Sequence, residues 1–404
     1  MHPSLPLDGE IPRRSVPPRC ALAAKGFRPF FLLASAFAAA IVPVWILIIT
    51  GVVRPTAYLD ATSWHAHEMV FGFAVAVIAG FLLTAVGNWT HRETAVGAPL
   101  LALAALWLGG RVAMIFGGSL PHVVTAMTDL TFLPALIIVL ARPLLAAKNR
   151  RNFVLLAVLG ALFVANVVVH LDALGIVATG SARRACVVAV DIVVLVILII
   201  AGRVVPMFTR NATGVTSIRS IPSLDVLAVA GMAVLTILDG IVPESLGAAV
   251  ASIAAGLLAA MRTIHWGARH SARQPLLWIL HVGYAWVPLG LLLRGFARVD
   301  LAVPASLATH ALTVGAIGSL TLGMMARVSL GHTGRPLVAA KPIAWAFVAV
   351  TAAAVARVVV PVFAPGWYFK ALWVAAALWT AAFSTYLVVY TPILSSPRVD
   401  REPV

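Results

Sequence analysis

Apolar stretches of about 20 residues recur along this chain, and that single feature decides what it can fold into. Wound as a helix at 1.5 Å per residue, each stretch spans roughly 30 Å of hydrocarbon. They lie near 30–52, 66–88, 98–116, 122–141, 153–171, 183–203, 223–240, 245–262, 275–294, 302–326, 343–363 and 369–392. In lipid every backbone N–H and C=O must find its partner within the segment, which leaves the α-helix as the spanning form. The expected fold is therefore an all-α polytopic membrane protein of about twelve transmembrane helices. Residues 1–29 read as a cytoplasmic N-terminal arm, 30–392 as one transmembrane domain, and 393–404 as a cytoplasmic tail. The segments at 223–240 and 245–262 are the shortest, and the Pro243-Glu244 break between them also suits a re-entrant pair.

Composition excludes the soluble alternative. Apolar residues make up 61% of the chain and charged residues 11%, with a mean hydropathy of +1.01. A water-soluble surface needs far more charge than that. The net charge of +15 does not indicate nucleic acid, because the basic residues form neither a face nor a tail. They recur between the apolar segments, and most of the 29 Lys and Arg fall on one side when the N-terminus is placed inside. That asymmetry puts both termini in the cytoplasm. Cys20 and Cys186 then lie at opposite membrane surfaces and are not expected to pair.

An ionisable residue inside a span costs a few kcal/mol or more unless it is paired or useful. The densest such cluster is Trp64-His65-Ala66-His67-Glu68-Met69, which opens the second segment with Thr62 or Ser63 available as N-cap. In a regular helix His65 and His67 point about 200° apart, so they do not share one metal ion. Either His65 has non-helical geometry in the cap, or the two imidazoles serve different sites. Glu68 follows His65 by one turn and is placed to orient it. Asp129, Asp191 and His310 fall at a similar depth in the fourth, sixth and tenth segments, which run in the same direction, and His122 and His170 end at that surface. One shared site in the outer half of the membrane is expected, its chemistry being metal or haem ligation or proton transfer. At the opposite surface Arg203 and Arg327 suit the bilayer interface or the carboxylates of a bound cofactor.

The inner ends of segments 6 and 10 resemble each other, Gly202-Arg203-Val204 leading to Thr209-Arg210-Asn211 and Ala326-Arg327-Val328 to Gly331-His332-Thr333-Gly334, and the inner end of segment 2, Thr84 to Thr90 with Asn88 and Trp89, is also polar. Their spacing hints at three four-helix units. No phosphate-binding loop, dinucleotide fingerprint, zinc-protease helix or nucleophile elbow is present. Any chemistry must rest with a cofactor or with proton-active groups inside the membrane. Buried histidines and carboxylates in twelve helices also fit a proton-coupled secondary transporter.

Several motifs together carry a family resemblance. They are Gly26-Phe27-Arg28-Pro29-Phe30-Phe31, the Trp64-to-Met69 cluster with Phe71-Gly72, and Gly80-Phe81-Leu82-Leu83-Thr84-Ala85 followed by Asn88-Trp89-Thr90. Gly202 to Asn211, His310 to Gly315 and Gly323 to Arg335 complete the set. In these motifs the chain resembles the NnrS family. The resemblance implies a multi-pass protein of the bacterial inner membrane that carries haem and copper and takes part in nitric oxide metabolism or resistance to nitrosative stress, as in denitrification. It leaves the reaction and the ligand set open. On that reading His65, His67, His170 and His310 are the expected cofactor ligands, and His65, His67 and His310 the metal ligands. Glu68, Asp129 and Asp191 are expected to support them or handle protons. Nitric oxide, or another small apolar ligand, would arrive through the lipid bilayer. Any electrons would come from quinol or a separate protein, since no soluble cofactor domain is apparent.

Overall fold

The computed structural model describes residues 20–53, 58–299 and 303–399, and among these the secondary structure is helical without a strand. Residues 1–19 of the expected arm and 400–404 of the tail lie outside the described residues. Eleven helices are long and apolar enough to cross a membrane. They are α1 (Phe27–Ile49), α2 (Ala61–Thr90), α3 (Ala98–Ile115), α4 (His122–Ala146), α5 (Arg150–Ala173), α6 (Ser181–Thr213) and α7 (Pro222–Ile241), then α9 (Pro275–Arg298), α10 (Ala305–His332), α11 (Lys341–Phe363) and α12 (Pro365–Ser395). Between α7 and α9 lies α8 (Leu246–Met261), whose 16 residues fall short of a full crossing. It packs along both α7 and α9, so the shortest segment remains part of the helical bundle.

The helices divide into a centre and a ring. The most apolar part of α2 is 89% buried, and those of α6 and α10 are each 67% buried, against 22% for α7 and 39% for α3. The three helices with polar inner ends, of which those of α6 and α10 resemble each other in sequence, are thus the central ones. Consecutive helices pack side by side, and α12 returns to α1, so the two ends of the chain close the ring. Arg28 fixes that closure by donating from Nη1 to the carbonyls of Leu394 and Ser396, at 2.6 Å each. Trp379 Nε1 donates to Ala38 O at 3.0 Å further along the same seam.

Lipid offers no hydrophobic drive between helices, so close backbone approach carries the packing. The α9–α10 seam depends on it. A Cβ added at Gly290 would sit 2.7 Å from Leu312 Cδ2 and 3.1 Å from the Leu312 backbone nitrogen. Backbone cannot yield as a side chain does, so Gly290→Val should lower stability by about 1–3 kcal/mol through overpacking. A drop in melting temperature of the detergent-purified protein checks this. An unchanged melt would show that the seam is looser than described.

Candidate functional site

The start of α2 sets two polar sites side by side. Its N-cap is Asp60, whose carboxylate accepts from Thr62 N at 2.9 Å and Ser63 N at 3.1 Å. This corrects the expectation of Thr62 or Ser63. A carboxylate placed before the first turn also meets the positive end of the helix. Seven residues on, Glu68–Ala74 form a π-helical stretch, and Ala311–Gly318 of α10 do the same immediately after His310. Such stretches shift the phase of the side chains that follow and often mark functional sites. Both occur directly beyond the histidines, on two of the three central helices.

His65 and His67 face different neighbours, as residues two apart on a helix must. His67 enters a fully buried network. Asp129 can only accept, so the Asn166 amide nitrogen donates to its Oδ2 at 2.8 Å, leaving the Asn166 oxygen to accept from His67 Nε2 at 2.9 Å. His67 Nδ1 donates to Glu68 Oε1 at 2.8 Å. Donation from both ring nitrogens makes His67 an imidazolium. Arg111 of α3 bridges the two acids, giving Nη1 to Glu68 Oε1 at 2.6 Å and Nη2 to Asp129 Oδ1. Gly110 permits this approach, since a Cβ there would lie 2.8 Å from Asp129 Oδ1. His170 Nε2 donates to Asp129 Oδ2 at 3.0 Å, and its Nδ1 accepts from the Tyr58 hydroxyl at 2.8 Å. Two carboxylates, one guanidinium and one imidazolium cancel, which is the condition for burying charge in a membrane protein.

The second site is a cavity of about 680 Å³ between α1, α2, α6, α7, α9, α10, α11 and α12. That volume falls within the roughly 300–1,000 Å³ of sites that enclose a drug-sized ligand. His65 and His310 both line it. His65 stacks on Trp45, with ring centroids 4.1 Å apart and planes at 22°, and its Nδ1 has no hydrogen-bond partner among the described residues. His310 Nδ1 donates to Ser306 O at 2.7 Å. That bond fixes the tautomer and leaves the lone pair on Nε2, the arrangement that orients a metal-binding imidazole. Met69, Cys186, Trp379 and the arginines 183, 184, 294, 298 and 357 also line the cavity.

Beside the cavity, Arg294 Nη1 donates to Asp191 Oδ1 and, at 3.2 Å, to Asp239 Oδ2. Arg298 Nη2 reaches Asp239 Oδ1 at 2.6 Å. This group of two acids and two bases also balances.

The single pocket expected for four histidines is thus two neighbouring sites. His65 and His310 share the cavity, whereas His67 and His170 lie with Asp129 in the network. Glu68 orients His67 and not His65. Asp191 pairs with Arg294 at the cavity wall. Arg203 and Arg327 do not line the cavity. They sit toward the opposite ends of α6 and α10, where Arg203 is exposed and the Arg327 guanidinium lies 4.0 Å from the Phe208 ring centroid. Ligand atoms of His67, Asp129 and His170 lie within 4.8 Å of one another, a spacing that could hold an ion. However, both nitrogens of His67 carry protons, the lone pair of His170 Nδ1 accepts from Tyr58, and Arg111 and Asn166 donate to the same carboxylate. A metal ion there would have to displace them.

Sequence reasoning passed over Arg111, Arg294 and Arg357, each inside an expected span, because it gave arginines a role only at helix ends, as markers of orientation or partners of cofactor carboxylates. The rule that flags Glu68 in lipid flags them equally. Tyr58 and Asn166 are neutral and carried no comparable signal.

The fold and these sites define a polytopic helical membrane protein with a largely apolar cavity between its helices, lined by two histidines and several arginines. The chain belongs to the NnrS family, whose model, described as NnrS protein, matches residues 21–398. Membership supports a role in the response to nitric oxide. No curated protein matches the sequence.

Proposed function

We propose that the cavity holds haem, with His65 and His310 as iron ligands, and that the protein meets nitric oxide at this iron. The observation that carries the reading is the pair of imidazoles from α2 and α10 on one cavity, one of them with its Nδ1 committed to a backbone carbonyl. Imidazole is a common ligand of haem iron. Trp45 and Trp379 supply aromatic walls of the kind a flat macrocycle packs against. Bound haem would supply the iron that takes nitric oxide. The chain's own residues would orient the ligating nitrogens and shield the site. Nitric oxide is small and apolar, so it reaches a site within the bilayer through lipid. Turnover would require electrons from quinol or a separate protein. Sequestration would not.

Copper is the second metal that family membership suggests. The cluster of His67, Asp129 and His170 has the spacing for it, but its bonds favour the charge-balanced network. The membrane is proposed to be the bacterial inner membrane with both termini in the cytoplasm, following the asymmetry of the basic residues. This orientation places the cavity toward the outer face. One measurement tests the central reading. Protein purified in detergent from cells supplied with haem should show a Soret band and about one iron per chain. A colourless, iron-free protein would overturn it.

A further inference from the structure

A guanidinium buried in a membrane protein must replace its lost water, and the six buried arginines here do so in different ways. Arg28 is capped by two backbone carbonyls, Arg111 by Glu68 and Asp129, Arg262 by Asp225, Arg294 by Asp191 and Asp239, and Arg327 by the face of Phe208. Arg357 of α11 differs in leaving two buried guanidinium nitrogens without a hydrogen bond, although it too lies over a ring, 5.4 Å from the Tyr368 centroid. It is 5% exposed, and its polar contacts are neutral: Nη2 donates to Ser306 Oγ at 3.0 Å and to the Tyr368 hydroxyl at 3.4 Å. Its Nε and Nη1 have no partner. Arg357 lines the cavity together with His65 and His310. Of the nearby acids, Asp191 and Asp239 are held by Arg294 and Arg298, and Glu244, which lines the cavity but is exposed, forms no ion pair with Arg357.

We propose that Arg357 receives a carboxylate of the ligand that fills this cavity, so that the cavity selects a carboxylate-bearing ligand over its neutral ester. The inference rests on the haem reading and assigns the seat of a propionate to α11. The fork of a guanidinium matches a carboxylate in two parallel hydrogen bonds, which an ammonium does not reproduce. Ser306 links the two functions. Its carbonyl orients His310 while its hydroxyl accepts from Arg357, so carboxylate binding and ligation meet on one turn of α10.

The test uses full-length protein purified without added haem, titrated with haem and with haem dimethyl ester. Wild type should prefer haem over the diester by about 10- to 100-fold, the usual range for a charge-assisted bond in a buried site. Arg357→Gln should lose that preference while binding the diester as wild type does. Arg357→Lys should fall between them. Equal preference in wild type and Arg357→Gln would overturn the assignment. Equal loss of both ligands in Arg357→Gln would also overturn it, because the arginine would then be holding the fold. Failure of haem to bind wild type would reject the haem reading and this seat with it.

Discussion

Arg111→Met should remove most of the folded protein from the membrane. Methionine keeps much of the arginine stem's volume, so the loss is one of charge and hydrogen bonds, not of packing. Without the guanidinium, Glu68 and Asp129 are left with His67 as their only cation in a site with almost no access to water. Breaking a buried ion pair by removing one partner costs about 3–5 kcal/mol, because the other charge stays behind uncompensated. That is a large part of the stability of an ordinary domain. The second half of the experiment separates charge from shape. Adding Asp129→Asn to Arg111→Met removes the excess negative charge and leaves Glu68 facing His67. The double variant should therefore recover part of the yield and melting temperature that the single variant loses. Size-exclusion profiles and thermal melts in detergent read both. If Arg111→Met melts close to wild type, the network does not hold these helices together.

What the sequence could and could not reveal follows from how each signal arises. The helices were legible because a span in lipid has a fixed length and an apolar surface, and both are written directly into the residues. The central role of α2, α6 and α10 showed faintly in their polar inner ends. Glu68, Asp129, Asp191 and His310 stood out because charge or imidazole in an apolar run requires a reason. Their partners were harder to find. Arg111, Arg294 and Arg357 sit in apolar runs as well, yet a basic residue has a second ready explanation as a marker of orientation. Asn166 and Tyr58 are ordinary residues until the fold brings them against His67 and His170. Depth in the membrane was also an incomplete coordinate. It placed four histidines near one surface, but which side of a helix each faces decides whether they meet. For His65 and His67 the two-residue spacing already carried that answer. For His170 it depended on how α5 turns toward α4.

The four histidines should now separate by experiment. His65→Ala and His310→Ala are each expected to abolish or strongly shift the Soret band while leaving the protein folded. Neither imidazole belongs to the charge-balanced network, so removing one leaves no buried charge unpaired. His310 gives up only its bond to Ser306 O. His67→Gln and His170→Gln should do the reverse. A glutamine at residue 67 is neutral and leaves two carboxylates facing Arg111 alone, so about 3 kcal/mol or more of stability should be lost. At residue 170, glutamine must replace both the bond to Asp129 and the acceptor of the Tyr58 hydroxyl, and a smaller loss is expected. The band of the protein that does fold should keep its position in both, because these rings sit behind α2 and not on the cavity. A displaced band in folded His67→Gln would place that imidazole on the iron, and the division into two sites would fail. An unchanged band in both His65→Ala and His310→Ala would instead remove the cavity as the place where iron is held. The two pairs therefore test one geometric statement, that a helix presenting histidines two residues apart sends one toward the cofactor and the other toward the charges that secure its position.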